Sequence, residues 1–231
     1  MAGFADDLPL ESALRDQSND DRDPVVLVID DDPHVREGLR ALFESVDLQS
    51  RSFGSAEEFL RSQIPDQVSC LILDVRLPGL SGIDFQTDVH IDIPIIFITG
   101  HGDIPMSVKA MKAGAVEFLT KSLREQELLD AVRVALDRDR ERRHRKQSAH
   151  DLRSRFDTLS TREQEVMTFA AVGMLNKQIA AALGIVEVTV KVHRHNIMKK
   201  LHASRFTDLV RMADALGLPR TIETNRLGTL N

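Results

Sequence analysis

Tryptophan and tyrosine are absent from this chain of 231 residues, and cysteine occurs once. A core without Trp or Tyr has to be built from aliphatic side chains and the ten Phe. The single cysteine, Cys70, excludes an intramolecular disulfide, and its setting in VSCLILD reads as that of a small buried hydrophobe. No apolar run approaches the roughly 18 residues that a membrane span needs. The first 23 residues, MAGFADDLPLESALRDQSNDDRD, are acidic and contain no apolar h-region, so they do not read as a secretion signal. There is no Gly-rich phosphate loop and no nucleophile–His–acid arrangement for hydrolysis. His193, His195 and His202 lie close together, but no cysteine or carboxylate stands at zinc-ligand spacing from them. These absences together fit a reducing cytoplasm and no membrane partner.

What is present is unevenly charged. The net charge of −6 divides into −5 over residues 1–23, −8 over 24–136, +3 over 137–150 and +4 over 151–231. An acidic half followed by a basic half points to two different partners, the basic one suited to a polyanion. Residues 1–23 and 221–231 read as disordered tails.

From Val25 onward, short β-branched runs alternate with helical periodicity. VVLVI (25–29), LQSRSF (48–53), VSCLIL (68–73), PIIFIT (94–99) and AVEFLT (115–120) read as strands. The helical patterns between and after them imply right-handed βαβ crossovers and a five-stranded parallel sheet over residues 24–136. Such α/β doubly wound sheets bind ligands beyond the carboxyl ends of their strands. At those ends stand Asp30, Asp31 and Asp32, then Asp74, Thr99 and Lys121. Carboxylates gathered on one edge raise each other's pKa unless a cation offsets them. A hard dication held by oxygens, most simply Mg²⁺, suits that edge. With a lysine and a hydroxyl opposite, the set describes a place where a carboxylate accepts a phosphoryl group.

These residues, with TGHGDIPMSVKAMKAGAVEFLTK (99–121), resemble the receiver domain of two-component response regulators, most closely the FixJ type. The resemblance implies that Asp74 is the phosphoacceptor for a sensor histidine kinase. It implies Mg²⁺ on Asp30, Asp31, Asp74 and the main-chain carbonyl of Arg76, with Lys121 pairing the phosphoryl oxygens and Thr99 and Phe118 forming a switch. Asp31 is preferred to Asp32 because Arg36 follows it by five residues, as in the family; Asp32 is then peripheral. Where the family carries Pro after the lysine, this chain has Ser122. A cis bond without proline costs about 3–4 kcal/mol, so a trans Lys121–Ser122 bond, with a less well aimed lysine, is expected.

The basic half has another rhythm. Ser160 and Glu163 form a capping box before TREQEVMTFAAVG. NKQIAAALG and VTVKVHRHNIMKKL read as the two helices of a helix-turn-helix. Val190, Ile197 and Leu201 are expected inward, with Lys191, Arg194, His195 and Lys199 on the opposite, basic face. LSTREQEV, NKQIAAALGI and TVKVHRHNIMKKL resemble the LuxR-type helix-turn-helix, an all-α DNA-binding domain placed at 156–220. The resemblance puts Lys191, Val192 and His195 in the major groove of double-stranded promoter DNA and makes Lys177, Thr189, Arg194 and Lys199 candidate phosphate contacts. Residues 137–155, polar all round after Leu136, read as a helical segment fraying into a flexible linker.

The expectation is therefore a phosphorylation-controlled transcription regulator, most simply an activator, that dimerises when phosphorylated and meets RNA polymerase at the promoter. Its receiver would catalyse only its own phosphorylation and dephosphorylation. The rivals are a constitutive DNA binder with a vestigial receiver and a phosphate-sink phosphotransfer protein.

Overall fold

A computed structural model describes residues 23–79, 81–89, 91–100, 104–122 and 124–219. The disordered tails expected at 1–23 and 221–231 lie, apart from Asp23, outside the described residues. Five strands, β1 (Val25–Ile29), β2 (Gln49–Phe53), β3 (Ser69–Asp74), β4 (Ile95–Thr99) and β5 (Glu117–Thr120), form one sheet in the order β2-β1-β3-β4-β5. Every pairing is parallel. The helices α1 (Pro33–Glu44), α2 (Ala56–Arg61), α3 (Gly82–Asp88) and α4 (Ile104–Lys112) alternate with the strands.

The central strands are apolar between their ends because both faces are covered. Alternate residues go to opposite sides. Leu27, Ile29, Leu71, Leu73, Ile95 and Phe97 pack with Phe59 of α2, Ile83 and Phe85 of α3 and Ala110 of α4. Val26, Val28, Cys70, Ile72, Ile96 and Ile98 pack with Leu39 and Phe43 of α1 and with Leu128, Val132 and Leu136 of the helix after β5. The strand order reverses between β1 and β3, so the ends of these two strands flank the crevice where such sheets take ligands.

Helix α5 runs from Glu125 to Asp157 without interruption. Within the segment expected to fray after Leu136, residues 139–143 are attached to the sheet through Asp139. Its side chain is wholly buried. It accepts from the Ser69 backbone N–H at 3.0 Å and from Arg142 and Arg143 at 2.8 Å each. Arg143 also reaches Asp66 at 3.0 Å. A stretch that looks polar on every side is thus held to the start of β3 through one buried carboxylate. The chain divides into two compact units after Arg143.

The second unit holds the end of α5 and the helices α6 (Thr161–Ala171), α7 (Asn176–Leu183), α8 (Glu187–Lys200) and α9 (Phe206–Ala215) around its own core, centred on Val166, Ile179, Val190, Ile197, Leu201 and Leu209. The Ser160–Glu163 capping box is present in both directions. Gly184 ends α7 at φ 64°, a left-handed turn that glycine adopts without strain. The described helices include none long and apolar enough to cross a membrane.

Candidate functional site

Three consecutive aspartates follow β1 and do three different things. Asp30 is fully buried, and its Oδ1 accepts from the Asp32 N–H at 2.9 Å. Asp31 is exposed. Asp32 caps α1, accepting from the His34 N–H at 2.8 Å, which is the peripheral place expected for it. Helix α1 in turn holds the loop. Arg36 donates from its guanidinium to the carbonyls of Asp30 at 2.6 Å and Asp31 at 3.0 Å. The sequence marked Arg36 only by its spacing; the structure gives it this positioning task.

Asp74 ends β3 and is 4% exposed; its Oδ1 accepts from the Arg76 N–H at 3.0 Å. Oxygens of Asp30, Asp31 and Asp74 lie within 4.8 Å of one another. Lys121, just past β5, joins them: its Nζ is 2.5 Å from Asp74 Oδ2 and 2.8 Å from Asp30 Oδ2. The second approach is an ion pair without hydrogen-bond alignment, so this buried oxygen of Asp30 has no hydrogen bond. Burial pushes the Asp30 carboxyl above its ordinary pKa, and Lys121 offsets only part of that. Burial lowers the Lys121 ammonium pKa, but the two carboxylates outweigh it and hold the group above its usual value.

Among the described residues no peptide bond is cis. The Lys121–Ser122 bond is therefore trans, as expected. Across this trans bond Lys121 touches both buried acids. Ser122 pairs its hydroxyl with that of Thr120 at 3.1 Å. Thr99 is buried at the end of β4, and its carbonyl accepts from the Lys121 N–H at 2.7 Å. Phe118, half-buried on β5, lies 6.3 Å from Phe97 between ring centres. Arg76 exposes its side chain to solvent.

One contributor left no signal in the sequence. A Cβ on Gly82 would fall 2.3 Å from the Asp74 carbonyl oxygen. The first residue of α3 lies against the backbone of the central acid, and glycine alone fits there.

In the second unit, Val190, Ile197 and Leu201 are buried as expected. Lys177, Lys191, Val192, His195 and Lys199 are exposed, and Thr189 is half-buried. Arg194 is a correction. At about 100° per residue it stands only about 40° around α8 from Val190, on the flank rather than on the opposite face. Its guanidinium lies 4.3 Å from the Phe206 ring centre and donates to Asn176 Oδ1 at 2.7 Å. It ties α8 to α7 and α9. Lys200, although exposed, is also engaged within the unit, donating to the buried Glu163 at 2.7 Å and the Thr158 carbonyl at 3.2 Å.

Comparison with known proteins agrees with this geometry. Residues 26–133 match the response regulator receiver domain, and 157–213 match the bacterial regulatory proteins of the luxR family. Nodulation protein W of Bradyrhizobium diazoefficiens is 56% identical over 197 residues, which is 84% of this chain and 87% of that one. Response regulator protein TodT of Pseudomonas putida is 47% identical over 216 residues, 92% of this chain and 94% of that one. Transcriptional regulatory protein FixJ of Rhizobium meliloti is 38% identical over 198 residues, 84% and 97% of the two chains. The solved structure of the response regulator StyR aligns with a TM-score of 0.73 at 49% identity, covering 84% of this chain and 99% of that one. A sheet edge of clustered acids, followed by a helix-turn-helix with an exposed basic face, thus places this chain among the two-component response regulators that join a receiver to a LuxR-type DNA-binding domain and regulate transcription.

Proposed function

We propose that Asp74 is the phosphoacceptor of this regulator and that its phosphorylation by a sensor histidine kinase controls dimerisation and promoter binding. The observation that carries the proposal is the Lys121 ammonium drawn between two buried carboxylates at the strand ends, 2.5 Å from Asp74 and 2.8 Å from Asp30. A half-buried lysine held between two buried acids serves no packing purpose and costs desolvation. It suits an anion that is brought to this place.

The donor set fits a hard dication. Three carboxylates converge, and all donors are oxygen. Asp30, Asp31, Asp74 and the main-chain carbonyl of Arg76 would hold Mg²⁺, which when bound supplies positive charge to the phosphoryl oxygens. The chain does the rest. An Asp74 carboxylate oxygen attacks phosphorus, the phosphorus–nitrogen bond of the phosphohistidine breaks, and the imidazole leaves. Lys121 follows the charge onto the phosphoryl group, and positioning together with electrostatics supplies most of the rate. In this sense the receiver catalyses its own phosphorylation, and dephosphorylation is attack of water on the same phosphorus, with the Asp74 carboxylate leaving and inorganic phosphate released.

Thr99 then turns its hydroxyl to the phosphoryl oxygens, and Phe118 moves into the space it leaves, reshaping the α4–β5 surface. That surface is suited to a second copy: Ile104, Val108 and Met111 recur along α4 at helical spacing and are exposed, Ile104 by 80%. Lys177, Thr189 and Lys199 are assigned to phosphates and Lys191, Val192 and His195 to base edges of the promoter. Arg194 helps by orienting α8. The protein acts in the cytoplasm as an activator that engages RNA polymerase.

Incubation with Mg²⁺ and a small phosphodonor should label the wild type and leave Asp74→Asn unlabelled. Promoter binding in the same samples should tighten for the wild type alone. Equal labelling, or equal DNA binding and transcription by Asp74→Asn without a signal, would sink the proposal. A vestigial receiver would show the second outcome, and a phosphate sink would show labelling without DNA binding.

A further inference from the structure

Helix α8 carries an apolar pair on the face that its core residues leave outward. Val188 is 67% exposed and Val192 52% exposed. Taking the buried Val190 as the inward direction, Val188 and Val192 lie about 160° and 200° around the helix. His195 and Lys199 fall beside them at about 140° and 180°. The outermost stripe of α8 is therefore two valines, a histidine and a lysine.

Val188 has no structural task there. It sits in the first turn of α8, where a β-branched residue is a weak helix former, and exposure denies it any gain from burial. A single exposed valine would need no explanation. Two of them four residues apart, on the outward face that also carries His195 and Lys199 and beside Lys191, which pairs with Glu187 at 3.3 Å, form an apolar surface in a polar setting. The part of DNA that fits is the thymine 5-methyl, the apolar group the major groove displays. The N-terminal residues of such helices are those that meet base edges.

We propose that Val188 is a specificity-determining residue of this regulator, reading a thymine methyl next to the one met by Val192. The inference rests on the DNA-binding role of the second unit. Four residues of helix rise about 6 Å, so the two thymines stand within about two base pairs of each other, given roughly 3.4 Å per pair. Lys191, between the valines in sequence, approaches the same segment from the side.

The test uses the full-length protein with Mg²⁺ and a small phosphodonor. Duplexes are selected from a randomised pool, and in the best binder each thymine is replaced in turn by uracil, which removes only the 5-methyl. Wild type should lose roughly fourfold in affinity at one thymine per half-site assigned to Val188, as expected for one buried methyl. Val188→Ala should bind the thymine and uracil forms of that position equally. It should keep the loss at the position that Val192→Ala abolishes. If Val188→Ala shows the same losses as wild type at every thymine, the inference is overturned. If the pool yields no enriched sequence, the DNA-reading role fails and Val188 falls with it.

Discussion

Gly82 shows how much one hydrogen atom in place of a methyl can decide. Its α-carbon is so close to Asp74 that a Cβ would overlap the carbonyl oxygen at 2.3 Å, and backbone cannot rotate away as a side chain does. We expect Gly82→Ala to cost about 2 kcal/mol through overpacking and to slow labelling of Asp74 by displacing its backbone. Thermal unfolding and the labelling rate check the two effects separately. A variant that melts and labels as wild type would mean that α3 yields freely. At the same scale, the run Asp30–Asp31–Asp32 is tolerable because its members diverge. Asp30 turns inward to Lys121, Asp31 outward and Asp32 onto the α1 amides. Arg36 fixes the two carbonyls between them.

Among elements, α5 departs most from its sequence pattern. Its first three turns pack Leu128, Val132 and Leu136 against the sheet, and only Asp139 marks where the attachment continues. Removing that carboxylate leaves the Ser69 amide and two arginines without their shared acceptor. Asp139→Ala is expected to destabilise the receiver toward the lower end of the roughly 3–5 kcal/mol seen when buried ion pairs are broken, since both arginines are about a quarter exposed. Denaturant unfolding of the full chain, followed by a probe in the receiver, measures this. A change below about 0.5 kcal/mol would assign the helix beyond Leu136 no part in receiver stability. Helix α8 carries the complementary lesson. Its inner stripe of Val190, Ile197 and Leu201 was plain from spacing, whereas Arg194 is taken up by Phe206 and Asn176.

Across the whole molecule, two buried carboxyls, one in each unit, should contribute to acid stability in opposite senses. Asp30 has its folded pKa raised by burial beyond what Lys121 offsets. Its contribution is present below the unfolded value near 3.8 and is lost as pH rises through the higher folded value. Burial raises the Glu163 pKa, but Lys200 and the Ser160 amide outweigh it and the folded value is lowered. Its contribution is present above the unfolded value near 4.5 and disappears as pH falls through the lower folded value. Below about pH 4.5, Glu163→Gln should therefore lose less stability per pH step than wild type, while Asp30→Asn should remove a gain. Unfolding of the full chain followed by probes in each unit, at a series of acid pH values, resolves both slopes. Parallel slopes for wild type and Glu163→Gln would show that Lys200 does not hold the Glu163 charge in the folded state.

What the sequence determined by itself is the alternation of strands and helices, the doubly wound parallel sheet, the helix-turn-helix and the convergence of Asp30, Asp74, Thr99 and Lys121. Each of these follows from short-range periodicity and from the rule that parallel strands bring their carboxyl ends to one edge. Tertiary structure alone decided that Gly82 abuts Asp74, that Asp139 is buried and that Lys121 reaches both acids through a trans bond. These depend on where distant segments meet, which is set by the packing of the whole core and leaves no mark in local spacing.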